Sequence, residues 1–239
     1  MGLFEDLKNQ PQTISVGLLT ADLMQLGNEL RLLDGSGVEI LHFDVMDGCF
    51  CPMMTVGPPF IKQVRTDHLK DVHLMIDEPI DKLDSYVQAG ADIISVHVES
   101  SIHIHRALQY LGTLENANDP ERGIIRGIAL NPGTPLSAVE AVLDDIEMIV
   151  LLAVNPGWGG QKFIRSTFEK ARRVKDLLAM HKKQDLLLCI DGGITRQNID
   201  EIAEIGADIV VTGSAVYDGK APFDNARFML ERLQAKTGW

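Results

Sequence analysis

The feature that most constrains this 239-residue chain is an alternation, repeated about eight times, of short apolar runs and amphipathic stretches. The runs are Ile14 to Leu19, Glu39 to Val45, Lys70 to Met75, Asp92 to Val98, Ile124 to Leu130, Glu147 to Val154, Leu186 to Ile190 and Asp208 to Thr212. Most are continuously apolar, the pattern of strands covered on both faces. Between them the spacing predicts helices over Asp22 to Asp34, Pro58 to Thr66, Pro79 to Ala89, Ile102 to Leu111, Pro135 to Leu143, Arg165 to Lys183, Arg196 to Ile205 and Pro222 to Lys236. Proline opens several of these, as suits a first helical turn. Gly90-Ala91-Asp92 and Gly206-Ala207-Asp208 read as helix ends running into new strands.

Strand-then-helix units in this number specify an α/β chain closed into a single (β/α)8 TIM barrel over residues 14–239. An open doubly wound sheet would gather its functional residues at one switch point, whereas here they follow many strands. Residues 1–13 are polar and are expected to form a peripheral N-terminal extension. Glu115 to Gly123 is expected to be a solvated loop, and His103-Ile104-His105-Arg106 a helix start with a surface or interface role.

In a barrel the C-terminal ends of all strands open into one mouth, so distant residues converge there. The run Leu41-His42-Phe43-Asp44-Val45-Met46-Asp47-Gly48 puts His42, Asp44 and Met46 on one face of its strand. Asp71-Val72-His73-Leu74-Met75 adds His73, and the apolar run ending in Cys189-Ile190-Asp191 adds a carboxylate. His42, Asp44, His73 and Asp191 are the right chemical types for one divalent metal ion with acid–base work beside it; the set suits zinc, iron, manganese or cobalt alike.

Glycine-rich turns follow the last three strands. These are Gly157, Trp158, Gly159 and Gly160 after strand six, Gly192 and Gly193 after strand seven, and Gly213 with Ser214 after strand eight. Their backbone amides can approach a phosphate, and barrels often bind phosphate beside strands seven and eight. A formal charge of −12 makes nucleic acid and anionic membrane surfaces poor partners. Amide dipoles would let the site still accept a small anion. No apolar run approaches the ~20 residues of a membrane span, and the N-terminus lacks signal-peptide character, so a cytoplasmic location is expected. Cys49, Cys51 and Cys189 carry no disulfide-framework spacing and read as reduced thiols.

Across these residues the chain resembles the ribulose-phosphate 3-epimerase family. The matching blocks are His42-Phe-Asp-Val-Met-Asp-Gly48, Asp71-Val-His-Leu-Met75, Ala129-Leu-Asn-Pro132, Val154-Asn-Pro-Gly-Trp-Gly-Gly-Gln-Lys-Phe163, Asp191-Gly-Gly-Ile194 and Gly213-Ser-Ala215, in the family's order. The resemblance implies a metal-dependent isomerase in which His42, Asp44, His73 and Asp191 bind the cation. Asp44 and Asp191 would also serve as the acid–base pair inverting C3 of a ketose phosphate through an enediolate. D-Ribulose 5-phosphate and D-xylulose 5-phosphate are the first-choice pair. The alternatives are a hexulose phosphate such as D-allulose 6-phosphate, and a non-catalytic phosphosugar-binding protein descended from an epimerase. Homo-oligomers are common in the family. Met46 and Met75 would line the pocket.

Three departures from the family pattern bear on the sugar. Gly17 in Ser15-Val16-Gly17 stands where a serine is usual, Cys49-Phe50-Cys51-Pro52-Met53 replaces His-Phe-Val-Pro-Asn, and Leu152 replaces a third pocket methionine. Related decarboxylase and aldolase barrels carry Asp-x-Lys-x-x-Asp on a strand; Asp44-Val-Met-Asp47 has no such lysine.

Overall fold

The computed structural model of the protein describes residues 2–235. Its strands are β1 Thr13–Gly17, β2 Ile40–Met46, β3 Leu69–Met75, β4 Ile93–His97, β5 Ile125–Leu130, β6 Met148–Leu152, β7 Leu187–Asp191 and β8 Ile209–Thr212. Each pairs in parallel with its sequence neighbours, and β8 pairs with β1 to close the barrel. The helices are α1 Leu3–Lys8, α2 Leu26–Arg31, α3 Pro58–Gln63, α4 Leu83–Val87, α5 Ile104–Leu111, α6 Ser166–His181, α7 Ile199–Ala203 and α8 Pro222–Gln234. The expected (β/α)8 barrel is the observed fold. Proline occupies the first turn of α3 and α8, as the sequence suggested. Lys236, the last residue of the final predicted helix, lies outside the described residues.

Strand alternation sorts the core into two shells. Leu41, Phe43, Val45, Val72 and Leu74 point outward and pack with helix residues such as Ile61, Leu83 and Leu108. The opposite set points into the barrel, where it changes character along the strands. Ile40, Leu69, Ile93 and Ile125 form a dry apolar floor. One strand position higher stand His42, Asp71 and Ser95, and above them Asp44, His73 and His97, most of them buried. Burying so many polar groups at one end of a barrel is costly unless each is partnered.

The Gly-Ala-Asp signals have a shared structural use. The acid just before β4, β6 or β8 accepts a backbone N–H at the start of the preceding strand. Asp92 takes Lys70 N at 2.9 Å, Glu147 takes Arg126 N at 2.9 Å and Asp208 takes Leu188 N at 2.7 Å. Gly90 and Gly206, which precede two of these acids, both adopt positive φ, the backbone reversal that glycine supplies after a helix.

Two local expectations differ from the structure, and a third gains a detail. Residues 2–13 do not stay peripheral: α1 sets Leu3 and Leu7 into the barrel floor, and Thr13 already belongs to β1. The predicted helix Pro135 to Leu143 is instead two 3₁₀ turns, Leu136–Ala138 and Glu140–Val142. Leu136, Val139 and Val142, all buried, recur every three residues, and a strict three-residue period lies on one face of a 3₁₀ helix rather than an α-helix. The Glu115 to Gly123 loop is exposed along most of its length, as expected of a solvated loop, and is pinned from within at one point. Asn116 is 1% exposed and donates to Asp92 and to Gly123 O, while Arg122 O accepts Leu3 N. The polar composition serves solvation over most of the loop and internal hydrogen bonds at Asn116. His105 is half-exposed and 3.1 Å from Asp145. No helix of the described chain is long and apolar enough to cross a membrane.

Candidate active site

At the C-terminal end of the barrel, β2, β3 and β7 bring His42, Asp44, His73 and Asp191 together. One candidate ligand atom from each lies within 4.8 Å of all the others. Asp44 and His73 are register partners across β2 and β3, and Leu152 of β6 faces Asp191 of β7. His42 Nε2 is 3.2 Å from Asp44 Oδ1 and 3.7 Å from Asp191 Oδ2. His73 Nδ1 is 3.5 Å and 3.2 Å from the same two oxygens.

The donor set fits a divalent cation. His73 Nδ1 is fully buried and lacks a well-formed hydrogen bond, although it faces both carboxylates. A buried polar atom in that position asks for a partner, and two imidazole nitrogens with two carboxylate oxygens make a mixed set that zinc, iron, manganese and cobalt accept. Without an ion the cluster holds protons instead. Burial works against a charged His73, but the Asp191 and Asp44 carboxylates that face it outweigh burial and raise its pKa to about 9. His42 is likewise buried, yet Asp71 and Asp44 beside it hold its pKa well above the ordinary value. Burial would raise the Asp44 pKa, but the two histidines hold it well below the usual carboxylate range.

Neighbouring residues that the sequence reading missed orient these groups. Asp71 Oδ2 lies 2.7 Å from His42 Nδ1 and accepts the Ser15 hydroxyl at 2.9 Å. His97 Nε2 lies 2.9 Å from His73 Nε2, and Glu99 Oε2 lies 3.0 Å from His97 Nδ1. Burial lowers the His97 pKa to about 4 against the pull of Glu99, so this imidazole is neutral at pH 7. A signal for both was present: Asp71-x-His73 and His97-x-Glu99 repeat the two-residue spacing of His42-x-Asp44.

Above the cluster opens a cavity of about 430 Å³, in the range of small-molecule sites. Asp44 and Asp191 line it, together with Gly17, Met46, Met75 and Leu152. His42 and His73 do not; they are 2% and 0% exposed and sit beneath it. The anticipated glycine-rich set is also part of the wall: Gly157, Trp158, Gly159, Gly160, Gly192, Gly193, Gly213 and Ser214 all border the cavity. Among the described residues that line it there is no lysine or arginine, so backbone amides and neutral side-chain donors such as Ser214 are the available groups for an anion. Cys51 is buried with Met46 and Met75, whereas Cys49 is exposed and no disulfide forms.

Two glycines in this wall are there for want of space. A Cβ on Gly213 would come within 3.0 Å of Gly17 O. At Gly193, with φ +69°, it would come within 2.6 Å of Phe163 N. Gly193→Ala therefore combines a strained φ, worth about 1–3 kcal/mol, with a clash against backbone. Gly159→Ala meets nothing within 4 Å and is expected to change stability by less than about 0.5 kcal/mol. Urea unfolding of the two variants checks the contrast; equal stabilities would contradict this packing of the β7 turn against the chain before α6.

The fold and site thus define a (β/α)8 barrel with a candidate divalent-metal centre at the floor of a small-molecule cavity. The sequence profile of the ribulose-phosphate 3-epimerase family matches residues 13–217. The chain belongs to this family and is an isomerase of the epimerase kind. It is 42% identical over 206 residues to the ribulose-phosphate 3-epimerase of Bacillus subtilis, covering 85% of this chain and 91% of that one. To the enzyme of the same name from Escherichia coli it is 39% identical over 209 residues, covering 86% and 88%. Among solved structures, 3-keto-L-gulonate-6-phosphate decarboxylase from Vibrio cholerae superposes with a TM-score of 0.68 at 15% identity, over 96% of this chain and 100% of that one. That last likeness shows the fold alone.

Proposed function

We propose that the protein interconverts D-ribulose 5-phosphate and D-xylulose 5-phosphate, with Asp44 and Asp191 exchanging the C3 proton on opposite faces of the sugar. The observation that carries this is the division within the cluster: the two carboxylates reach the cavity while the two imidazoles lie beneath it. The histidines are placed only to hold the cation; the aspartates can hold it and still meet substrate. A divalent ion bound by these four residues supplies positive charge where negative charge builds on the substrate oxygens.

The remaining chemistry belongs to the chain itself. Asp44 is kept ionised by its histidine neighbours and can accept a proton at neutral pH. Asp191 comes from β7, three strands around the ring from β2, by way of β8 and β1. A planar sugar lying between them has one carboxylate toward each face, so removal on one side and return on the other inverts the carbon. The roles swap with the direction of reaction. Met46 and Met75 offer a polarisable apolar surface to the planar species, and the amides of the glycine-rich turns take the phosphate.

The pentulose phosphate is favoured over a hexulose phosphate and over a non-catalytic binder by the curated relatives, which at 39–42% identity carry the ribulose-phosphate name. The deciding experiment follows both turnover of D-ribulose 5-phosphate by metal-loaded protein and deuterium entry at C3 in deuterated water. Neither signal from folded, metal-loaded protein would overturn the proposal.

Gly17 is open to substitution, because a Cβ there would stand 3.5 Å from its nearest neighbour, Gly213 Cα. Gly17→Ser is expected to fold normally and to lower KM for the pentulose phosphate several-fold by adding a hydroxyl to the cavity wall. An unchanged KM would show that the sugar is held without that contact.

A further inference from the structure

We infer that His97 and Glu99 are positioning residues that fix the ring tautomer of His73, and so set how tightly the centre holds its cation. The inference rests on the metal-centre reading above and concerns residues outside the four candidate ligands. Glu99, an ionised carboxylate, can only accept. Its Oε2 faces His97 Nδ1 at 3.0 Å, and its Oε1 takes Asn131 N at 2.9 Å and the Thr134 hydroxyl. The His97 proton therefore sits on Nδ1, leaving a lone pair on Nε2. That lone pair is 2.9 Å from His73 Nε2, which must then carry the His73 proton. The consequence lies at the other nitrogen: His73 Nδ1 presents its lone pair to the carboxylates, the only form in which a neutral imidazole can ligate from that atom.

The geometry holds the relay rigidly. His97 is fully buried, with Phe50 against its ring at 4.7 Å between centroids. Glu99 is anchored to the segment just after β5 by Asn131 and Thr134, and Lys170 of α6 donates to Asn131 O at 2.7 Å. His42 reaches the same end by a shorter route, with Asp71 directly on Nδ1. Both imidazoles are thus turned so that the nitrogen facing the cluster is the one that can give up its proton to a cation.

The test measures Zn²⁺ affinity by chelator competition on metal-stripped full-length protein, for wild type, Glu99→Ala, Glu99→Gln and His97→Phe. Glu99→Gln is informative because one amide end must face a donor, either His97 Nδ1–H or the Asn131 and Thr134 pair. Each variant is expected to bind Zn²⁺ about 10- to 100-fold more weakly, the usual cost of losing such an outer partner. Turnover should be restored at high Zn²⁺, a rescue that a merely structural role would not give. In Zn²⁺-loaded wild type labelled at histidine nitrogen, ring ¹H–¹⁵N spectra are expected to place protons on His97 Nδ1 and His73 Nε2. Wild-type affinity in the Glu99 variants, or a His97 proton on Nε2, would overturn the inference while leaving the metal centre standing. Failure of wild type itself to bind Zn²⁺ would overturn the metal reading and this inference with it. If His97→Phe does not fold, the Glu99 variants and the wild-type spectra still decide.

Discussion

Asp191→Asn, saturated with divalent metal, is expected to keep its fold and lose about 10²- to 10⁴-fold in turnover, the usual cost of removing one acid–base group. Asp44→Asn should do the same. Asparagine keeps the shape and a ligating oxygen but cannot shuttle a proton. The two variants should nonetheless differ in an informative way. With one carboxylate gone, the other can still remove the C3 proton from the epimer that presents it and return a deuteron to the same face. Each single variant should therefore exchange label into one epimer without inverting it, and the two variants should choose opposite epimers. Mass spectrometry of recovered substrate reads this directly. Full inversion by either variant, or label entering both epimers alike, would remove that carboxylate from its role.

Stripping the metal is the second large perturbation. An ion that binds only the folded state at a thousand times its Kd adds about 4 kcal/mol of stability, or roughly 10 °C in melting temperature for a chain of this size. The pH dependence has a definite sign. His73 in the metal-free cluster has its pKa raised to about 9, and His42 is raised as well, while Asp44 is lowered. At pH 7 both histidines hold protons on or beside the ligating positions, and Asp44 holds none. The cation must displace the histidine protons, so its affinity falls as pH falls below about 9 and rises toward it. The slope is about tenfold per pH unit for each proton released. Calorimetric titration in buffers of different ionisation enthalpy counts those protons. An affinity unchanged between about pH 7 and 8 would mean that the histidines are already neutral, contrary to the charge balance of the cluster.

How much of this was legible beforehand varies with the range of the interactions involved. The strand positions were readable because a parallel strand covered on both faces is apolar along most of its length, whatever lies beside it. The four candidate ligands were readable because each is a polar residue inside or at the end of such a run. Helix boundaries were less so. The 136–142 segment shows why: its three-residue apolar period was visible, but that it closes as 3₁₀ turns depends on the buried neighbours it packs against. The floor was missed for a similar reason. Leu3, Phe4 and Leu7 stand in an otherwise polar stretch, and only the hollow lower end of the barrel gives them somewhere to go.

The outer groups of the site were written in the chain yet could not be assigned from it. Asp71, His97 and Glu99 have the same spacing as the ligands, and nothing local says which member of a His-x-acid pair faces a cation and which faces another side chain. That depends on height within the barrel and on which strand is adjacent, both consequences of closing the ring and settling its register. Short-range chemistry, namely which segments are strands, which turns are glycine-rich and which polar residues interrupt apolar runs, was determined by the order of amino acids alone. Only the closed barrel decided that His42 and His73 sit beneath Asp44 and Asp191, because hydrogen-bond direction and burial arise between segments far apart in sequence.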